Sequence, residues 1–326
     1  MRSANRPWRV GILGTGKHGS RYARHVVDDV EGLELVAISR RSAEGRAQAA
    51  GWNCRWYGDW RELVADPAVD CVVAALPPTL NREVAEVCAA AGKPLLLEKP
   101  MAVTAADAAA ILRLFEDRGL GLTIGQTLRY NPVVRLLRRC LDGIGELHGL
   151  TANQRLEPNT LTWLDDPDQA GAGVSLHTAV HVFDALRFIT GREIVRVFAR
   201  SRCVHTRRLE DHLLALVELD NGVLGTVDCA KISPARSGRF EFVGADGQLH
   251  GDQIHHTAEW IRGTRREPID PGPPVPTIVP LLTDWLAFLR NEGPNPVPGR
   301  EGLAAVQIAT ACLRSAAMAC WQPVQP

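Results

Sequence analysis

A lysine set directly after a strand, two histidines four residues apart and a glycine-rich turn are the parts of this chain whose types and spacing could do chemistry. In "PLLLEKPMAV", Pro94 to Val103, three leucines run straight into Glu98, Lys99 and Pro100. A buried strand rejects an unpaired carboxylate and ammonium, so these residues belong at a strand end. There Lys99 is either a solvated charge or a desolvated amine, and a desolvated lysine has its pKa lowered into the range where it can take or give a hydroxyl proton. X-Pro is the bond at which a cis peptide costs little, so Pro100 can hold an unusual turn after Lys99. In "GAGVSLHTAVHVFDALRFITG" the apolar spacing approximates a helix, which puts His177 and His181 on one face. Such a pair can bind zinc, but the stretch lacks the glutamate of H-E-x-x-H and no third ligand is marked nearby, so no metal is expected. Core or capping histidines are the plainer alternative, with Asp184 placed one turn on to anchor His181. The turn "GTGKHG" spells Gly14, Thr15, Gly16, Lys17, His18, Gly19, a G-x-G-x-x-G. Its glycines suit a tight turn, a close backbone approach to a pyrophosphate and a helix packed against a strand.

The elements around these residues decide whether the motifs mean anything. Val10 to Leu13 reads as a short strand, the glycine turn follows, and a helical pattern starts near His18. "LELVAISRR", "VDCVVAALPP", "KPLLLEKP" and "LGLTIGQTLR" read as further strands, each an apolar run of the kind found in parallel sheets covered on both faces. Helical segments alternate with them, stopped at Gly92 and Gly119, with Thr104 as an expected N-cap. The pattern predicts an open, doubly wound α/β domain over residues 1–125, binding a dinucleotide at the carboxyl ends of its strands. Leu76, Pro77 and Pro78 end the third strand at that edge, and Glu98 and Lys99 end the fourth. The second strand ends in Ser39, Arg40, Arg41 and Ser42 where a ribose-reading carboxylate is expected. Guanidinium and hydroxyl groups suit a 2′-phosphate, so NADP(H) is expected over NAD(H), with NAD(H) as the other possibility, unless Arg40 and Arg41 are only solvated surface charges.

Residues 126–326 read as a second, α+β domain. Strands alternate with turn signals at Asn221-Gly222 and near Asp246-Gly247, a Pro-rich stretch follows, and two helices close the chain, from about Ile278 to Arg290 and from Arg300 to Ala319. Arg129 and Asn131 after the last strand of the first domain, Arg155, and Trp163 as a stacking surface for a sugar ring are further candidates to touch substrate. His255 and His256 are given no role.

Composition excludes several classes of protein. The 37 Lys and Arg residues equal the 37 Asp and Glu, so there is no global field for nucleic acid or an anionic membrane, and a small-molecule partner is expected. Eight cysteines never form C-x-x-C and sit in apolar stretches, which suggests reduced, buried thiols and a cytoplasmic location. Met1 to Val10 lacks a signal-peptide pattern and no long apolar run occurs, so neither secretion nor membrane insertion is expected.

These motifs, in order, resemble the Gfo/Idh/MocA oxidoreductases, named for glucose-fructose oxidoreductase and inositol dehydrogenase. The likeness rests on the "GTGKHG" turn, on "AGKPLLLEKPMAVTAADA", similar to that family's A-G-K-x-x-x-x-E-K-P-x-A segment, and on the Gly171 to Gly191 stretch, and it extends to "LELDNGVLGTVD", "FVGADGQLHGD" and "EGLAAVQIATACLRSA". It covers nearly the whole chain. The resemblance implies a Rossmann domain followed by a domain whose large, open, mainly antiparallel sheet walls the substrate site and makes oligomer contacts, as a homodimer or homotetramer. It also implies that Lys99 contacts substrate and nicotinamide in proton transfer, with Glu98 positioning it or binding cofactor. Gly171, Gly173 and His181 match the family's pattern, whereas His177 stands where aspartate is usual and cannot supply the same fixed charge. Two readings follow: an NADP(H)-dependent oxidoreductase acting on a secondary alcohol or carbonyl of a sugar, polyol or related small molecule, with Lys99 and His181 handling the proton, or a catalytically inactive dinucleotide-binding sensor or partner protein.

Overall fold

The computed structural model describes residues 6–325; the ends of the expected domains at residues 1–5 and 326 lie outside them. The described chain divides into two compact units, one of residues 6–102, 106–126 and 276–303 and one of residues 103–105, 127–275 and 304–325. The Pro-rich stretch after β14 below is where the chain passes from the second unit back to the first.

The first unit holds a sheet of six parallel strands, β1 (Trp8–Leu13), β2 (Leu33–Ser39), β3 (Arg55–Tyr57), β4 (Cys71–Ala74), β5 (Leu95–Leu97) and β6 (Leu122–Ile124), in the order β3-β2-β1-β4-β5-β6. Between them run α1 (Lys17–Asp28), α2 (Glu44–Gly51), α3 (Trp60–Ala65), α4 (Asn81–Ala90) and α5 (Ala105–Glu116). Val10, Ile12, Leu13, Cys71, Val72, Val73, Leu95, Leu96 and Leu97 are almost fully buried, which is why these strands read as unbroken apolar runs. The order reverses between β1 and β4, and ligands of open α/β sheets bind at that switch point. Residues 295–298 close the β6 edge: Ile124 donates to Val297 O at 2.9 Å and Asn295 Nδ2 to Leu122 O at 2.8 Å.

The second unit is built on a nine-stranded mixed sheet. Its strands are β7 (Leu147–Arg155), β8 (Ile194–Arg202), β9 (His212–Leu219), β10 (Leu224–Ala230), β11 (Arg239–Gly244), β12 (Gly247–Asp252), β13 (Thr257–Arg262), β14 (Arg265–Ile269) and β15 (Gln322–Pro323). Their order is β14-β13-β12-β11-β7-β10-β9-β8-β15. All neighbours are antiparallel except β7 and β10, so β7 separates two meanders. Helices α6 (Pro132–Cys140), α7 (Pro167–Ala170) and α8 (Val180–Thr190) belong to this unit, α9 (Ile278–Leu289) to the first, and α10 (Gly299–Met318) runs from one into the other. The β9–β10 turn has Gly222 at φ +84°, while Asn221 is not left-handed, so it is a wider loop than a two-residue hairpin. All eight cysteines are free, but Cys203 and Cys320 are exposed, not buried as expected. Among the described residues no helix is long and apolar enough to cross a membrane.

Candidate active site

Strand register brings the chemistry of the first unit to one edge. Ser39, Leu13, Ala74, Leu97 and Ile124 are mutually aligned partners at the carboxyl ends of β2, β1, β4, β5 and β6. One residue on, the amides of Gly14, Ala75, Glu98 and Gly125 still donate across the sheet, to Ser39, Leu13, Ala74 and Leu97, at 2.8 to 2.9 Å. The glycine turn and the Glu98-Lys99 pair therefore leave the sheet at the same level.

Each motif glycine answers a different demand. Gly14 has φ +82°, and a Cβ there would lie 2.7 Å from Ala75 O and from Leu76 Cδ2. At Gly19 a Cβ would come within 2.0 Å of Gly14 O, so only glycine lets α1 close on the turn. Gly16 is exposed, and a Cβ there would meet nothing within 4 Å. It is also the N-cap of α1 and carries no side-chain cap. Open space over a bare backbone at a twelve-residue helix's positive end fits a pyrophosphate, which Gly14 to Gly19 would hold through main-chain N–H groups. Thr15 is turned inward, donating to Gln48 Oε1 at 2.6 Å. Lys17 is exposed, and Leu76 lines the turn from the β4 side, with Pro77 half-buried and Pro78 buried after it.

Arg40 is tied into the same turn. Its Nη1 donates to Thr15 O at 2.9 Å, its Nε to Ser42 Oγ at 2.8 Å, and its Nη2 pairs with Glu44. The Arg40 carbonyl accepts from Trp56 Nε1 at 3.1 Å. Ser39 is buried, whereas Arg41 and Ser42 are exposed beside this cluster. The sequence identified the arginines but not Glu44, whose signal was its place four residues after Arg40 on the first turn of α2.

Glu98 is held from two sides. Tyr22, fully buried on α1, donates to Glu98 Oε1 at 2.7 Å, and the Lys99 amide donates to Oε2 at 3.1 Å. A Cβ at Gly125 would stand 3.0 Å from Tyr22 Oη and 3.1 Å from Glu98 Oε1, so the glycine leaves room for this bond. Burial, with the Glu98 charge adding to it, pushes the Tyr22 hydroxyl well above its usual range, which keeps it a donor. Burial pushes the Lys99 ammonium below the ordinary lysine range, against the opposing pull of Glu98. His18, exposed on the turn, has its imidazole pushed below the usual range by desolvation, opposed by Glu98 and reinforced by Lys99. The Lys99-Pro100 peptide is cis.

In the second unit His177 lies in a π-helical turn, Ser175–Ala179, that runs directly into α8, where His181 follows. The apolar spacing had read as one regular helix, whereas the segment begins with a π turn, a feature common at functional sites. His177 Nε2 lies 3.1 Å from Ala170 O, and its ring meets Trp163 edge-on with centroids 5.7 Å apart. Glu210, which sequence reading missed, fixes the entry to this turn. Its carboxylate accepts from Gly173 N at 3.0 Å and Ser175 N at 3.1 Å, and its carbonyl accepts from Val174 N at 2.7 Å. A Cβ at Gly173 would fall 1.8 Å from that carbonyl. The loop carrying Glu210 is itself ordered by Asp165, whose carboxyl the amides of Arg207, Leu209 and Arg208 hold below its usual range. Arg129 donates a bidentate fork to the fully buried Asp184 at 2.8 and 2.7 Å. Arg155 stands on the exposed face of the sheet, paired with Asp228, which also meets His212. Trp163 and His177 are thus brought together, while Arg155 is on the sheet face opposite the buried Leu150 and Ala152 of β7. Among the described residues no group of three or more His, Cys, Asp or Glu is arranged to hold a metal ion.

A 3-2-1-4-5-6 parallel sheet with an open glycine turn at its switch point, joined to a unit built on a large mixed sheet, is the architecture of a dinucleotide-binding α/β protein. Residues 8–126 match the model of the oxidoreductase family with an NAD-binding Rossmann fold, and residues 135–250 match the Gfo/Idh/MocA C-terminal domain. The chain is 35% identical to inositol 2-dehydrogenase 1 of Saccharopolyspora erythraea, over 94% of this chain and 93% of that one. It is 25% identical to scyllo-inositol 2-dehydrogenase (NAD(+)) of Bacillus subtilis, over 76% and 75%. In fold it is similar to a levoglucosan dehydrogenase solved in complex with NADH, with a TM-score of 0.89 at 20% identity over 98% of this chain and 100% of that one. The chain belongs to the Gfo/Idh/MocA family of oxidoreductases.

Proposed function

We propose that this chain is an NADP(H)-preferring enzyme that moves a hydride between the nicotinamide and a secondary alcohol or carbonyl of a sugar, polyol or related small molecule. The observation that carries this reading is Lys99, an amine with a lowered pKa one residue past the row that holds the glycine turn. When bound, the nicotinamide supplies the hydride acceptor or donor. Lys99 in its amine form takes the proton from the substrate hydroxyl as the carbinol C–H hydride departs, and as ammonium it returns that proton to the carbonyl oxygen in the reverse direction. Glu98, fixed by Tyr22, orients Lys99 through the Lys99 amide. His181 is proposed as the second proton-transfer group, His177 as its neighbour in substrate binding, and Trp163 as a stacking surface beside His177. Arg129 and Arg155 remain proposed substrate contacts, although each already has a carboxylate partner. Residues 1–125 are proposed to carry cofactor and 126–326 substrate and oligomer contacts.

The names of the relatives, inositol dehydrogenases among them, support a polyol or sugar substrate. The absence of a carboxylate at Ser39 and the presence of Arg40, Arg41 and Ser42 support NADP(H). Free thiols support a cytoplasmic enzyme. A panel of inositols, aldoses, ketoses and polyols, assayed in both directions with each nicotinamide nucleotide, tests the reading. It predicts turnover with at least one of them, whereas binding of nucleotide with no turnover on any would favour a sensor.

A further inference from the structure

We infer that Glu44 is the residue that sets how strongly the nucleotide site discriminates between NADP(H) and NAD(H), by competing with a 2′-phosphate for Arg40. The inference rests on the nucleotide-site reading proposed above and adds to it a determinant that the end of β2 does not show.

The guanidinium of Arg40 has two fixed edges and one shared one. Nη1 is spent on Thr15 O at 2.9 Å and Nε on Ser42 Oγ at 2.8 Å, while the Arg40 carbonyl is held by Trp56 Nε1 at 3.1 Å. Gly45 keeps the cluster tight, since a Cβ there would lie 2.4 Å from Trp56 Nε1 and 2.9 Å from Arg40 Cβ. Arg40 is therefore a fixed part of the site, joining the glycine turn to the loop after β2. Its remaining edge, Nη2, faces Glu44, and the Glu44 carboxylate is 70% exposed. A ribose bound at the end of β2 would bring its 2′ substituent to this loop. A 2′-hydroxyl can donate to the Glu44 carboxylate, but a phosphate dianion must either displace it from Arg40 or sit beside its charge. Glu44 thus opposes a 2′-phosphate as an acidic residue at the strand end would, but from the first turn of α2. Ser42 Oγ already accepts from Arg40 Nε, so exposed Arg41 is left to attract the phosphate; it and Glu44 pull in opposite directions and the preference is moderate.

Dissociation constants of the full chain for NADPH and NADH, measured for the wild type, Glu44→Gln and Glu44→Asp at low and moderate salt, test this. Glu44→Gln removes the charge with nearly unchanged shape and should tighten NADPH about five- to tenfold while moving NADH by less than about twofold, the gain shrinking as salt rises. Glu44→Asp keeps the charge and should hold the wild-type ratio. An unchanged NADPH to NADH ratio in Glu44→Gln, or an equal loss of both affinities in both variants, would overturn the inference while leaving the nucleotide site intact. Failure of the wild type to bind either nucleotide would instead overturn the site reading, and the inference with it.

Discussion

At the residue scale the account turns on one amine. Lys99 was legible because an ammonium cannot end an apolar run without a reason, and its lowered pKa is the physical form of that reason. Glu98 was legible beside it, but the Tyr22 hydroxyl that fixes Glu98 was not: the two lie 76 positions apart, and no local pattern announces a hydrogen bond over that distance. The sign of the pH dependence follows. In the proposed mechanism oxidation needs the free amine, so its kcat/KM should rise with pH through a pKa below the ordinary lysine range and level off above it. Reduction needs the ammonium and should fall over the same interval. Profiles recorded in both directions check this, and two profiles moving the same way would contradict the assignment.

At the scale of elements, the strand ends and the glycine turn were readable because parallel strands are continuous apolar runs and G-x-G-x-x-G has a meaning only between strand and helix. Short β3 carried no such run, and the placement of β7 between β10 and β11 depends on non-local pairing that periodicity does not encode. The motif's glycines nevertheless separate in a testable way. Gly16→Ala projects into open space at φ −72°, so it should leave the melting temperature nearly unchanged and weaken nucleotide binding more than about tenfold. Gly19→Ala must push the backbone of Gly14 away and should cost about 1–3 kcal/mol of stability, read by denaturant unfolding without nucleotide. Unchanged nucleotide affinity in Gly16→Ala would show that the open space there is not a ligand's, and equal stability losses for both variants would show that it is not open.

At the scale of the molecule, the two-part organisation was visible as a change from alternating strands and helices to strands with turn signals, but not the return of residues 276–303 to the first unit, which rests on long-range contacts such as Asn295 with Thr123. The large sheet presents Leu214, Leu216, Leu224 and Val243 on one exposed face, on neighbouring strands β9, β10, β11 and across β7. Exposed apolar side chains gathered on one sheet face are what an interface between subunits would bury, and they support the proposed homodimer or homotetramer. Light scattering should find an oligomer, and Leu216→Lys with Leu224→Lys should shift it to monomer without a large fall in melting temperature. A monomeric wild type would remove the sheet face from the account.

The most direct measurement of the central claim is the Lys99→Ala variant, assayed for turnover on the best substrate of the panel and, separately, for nucleotide affinity. The account predicts a loss of kcat of about 10²–10⁴-fold with nucleotide binding nearly intact. Retained turnover, or a loss of nucleotide affinity large enough to explain the rate, would contradict it.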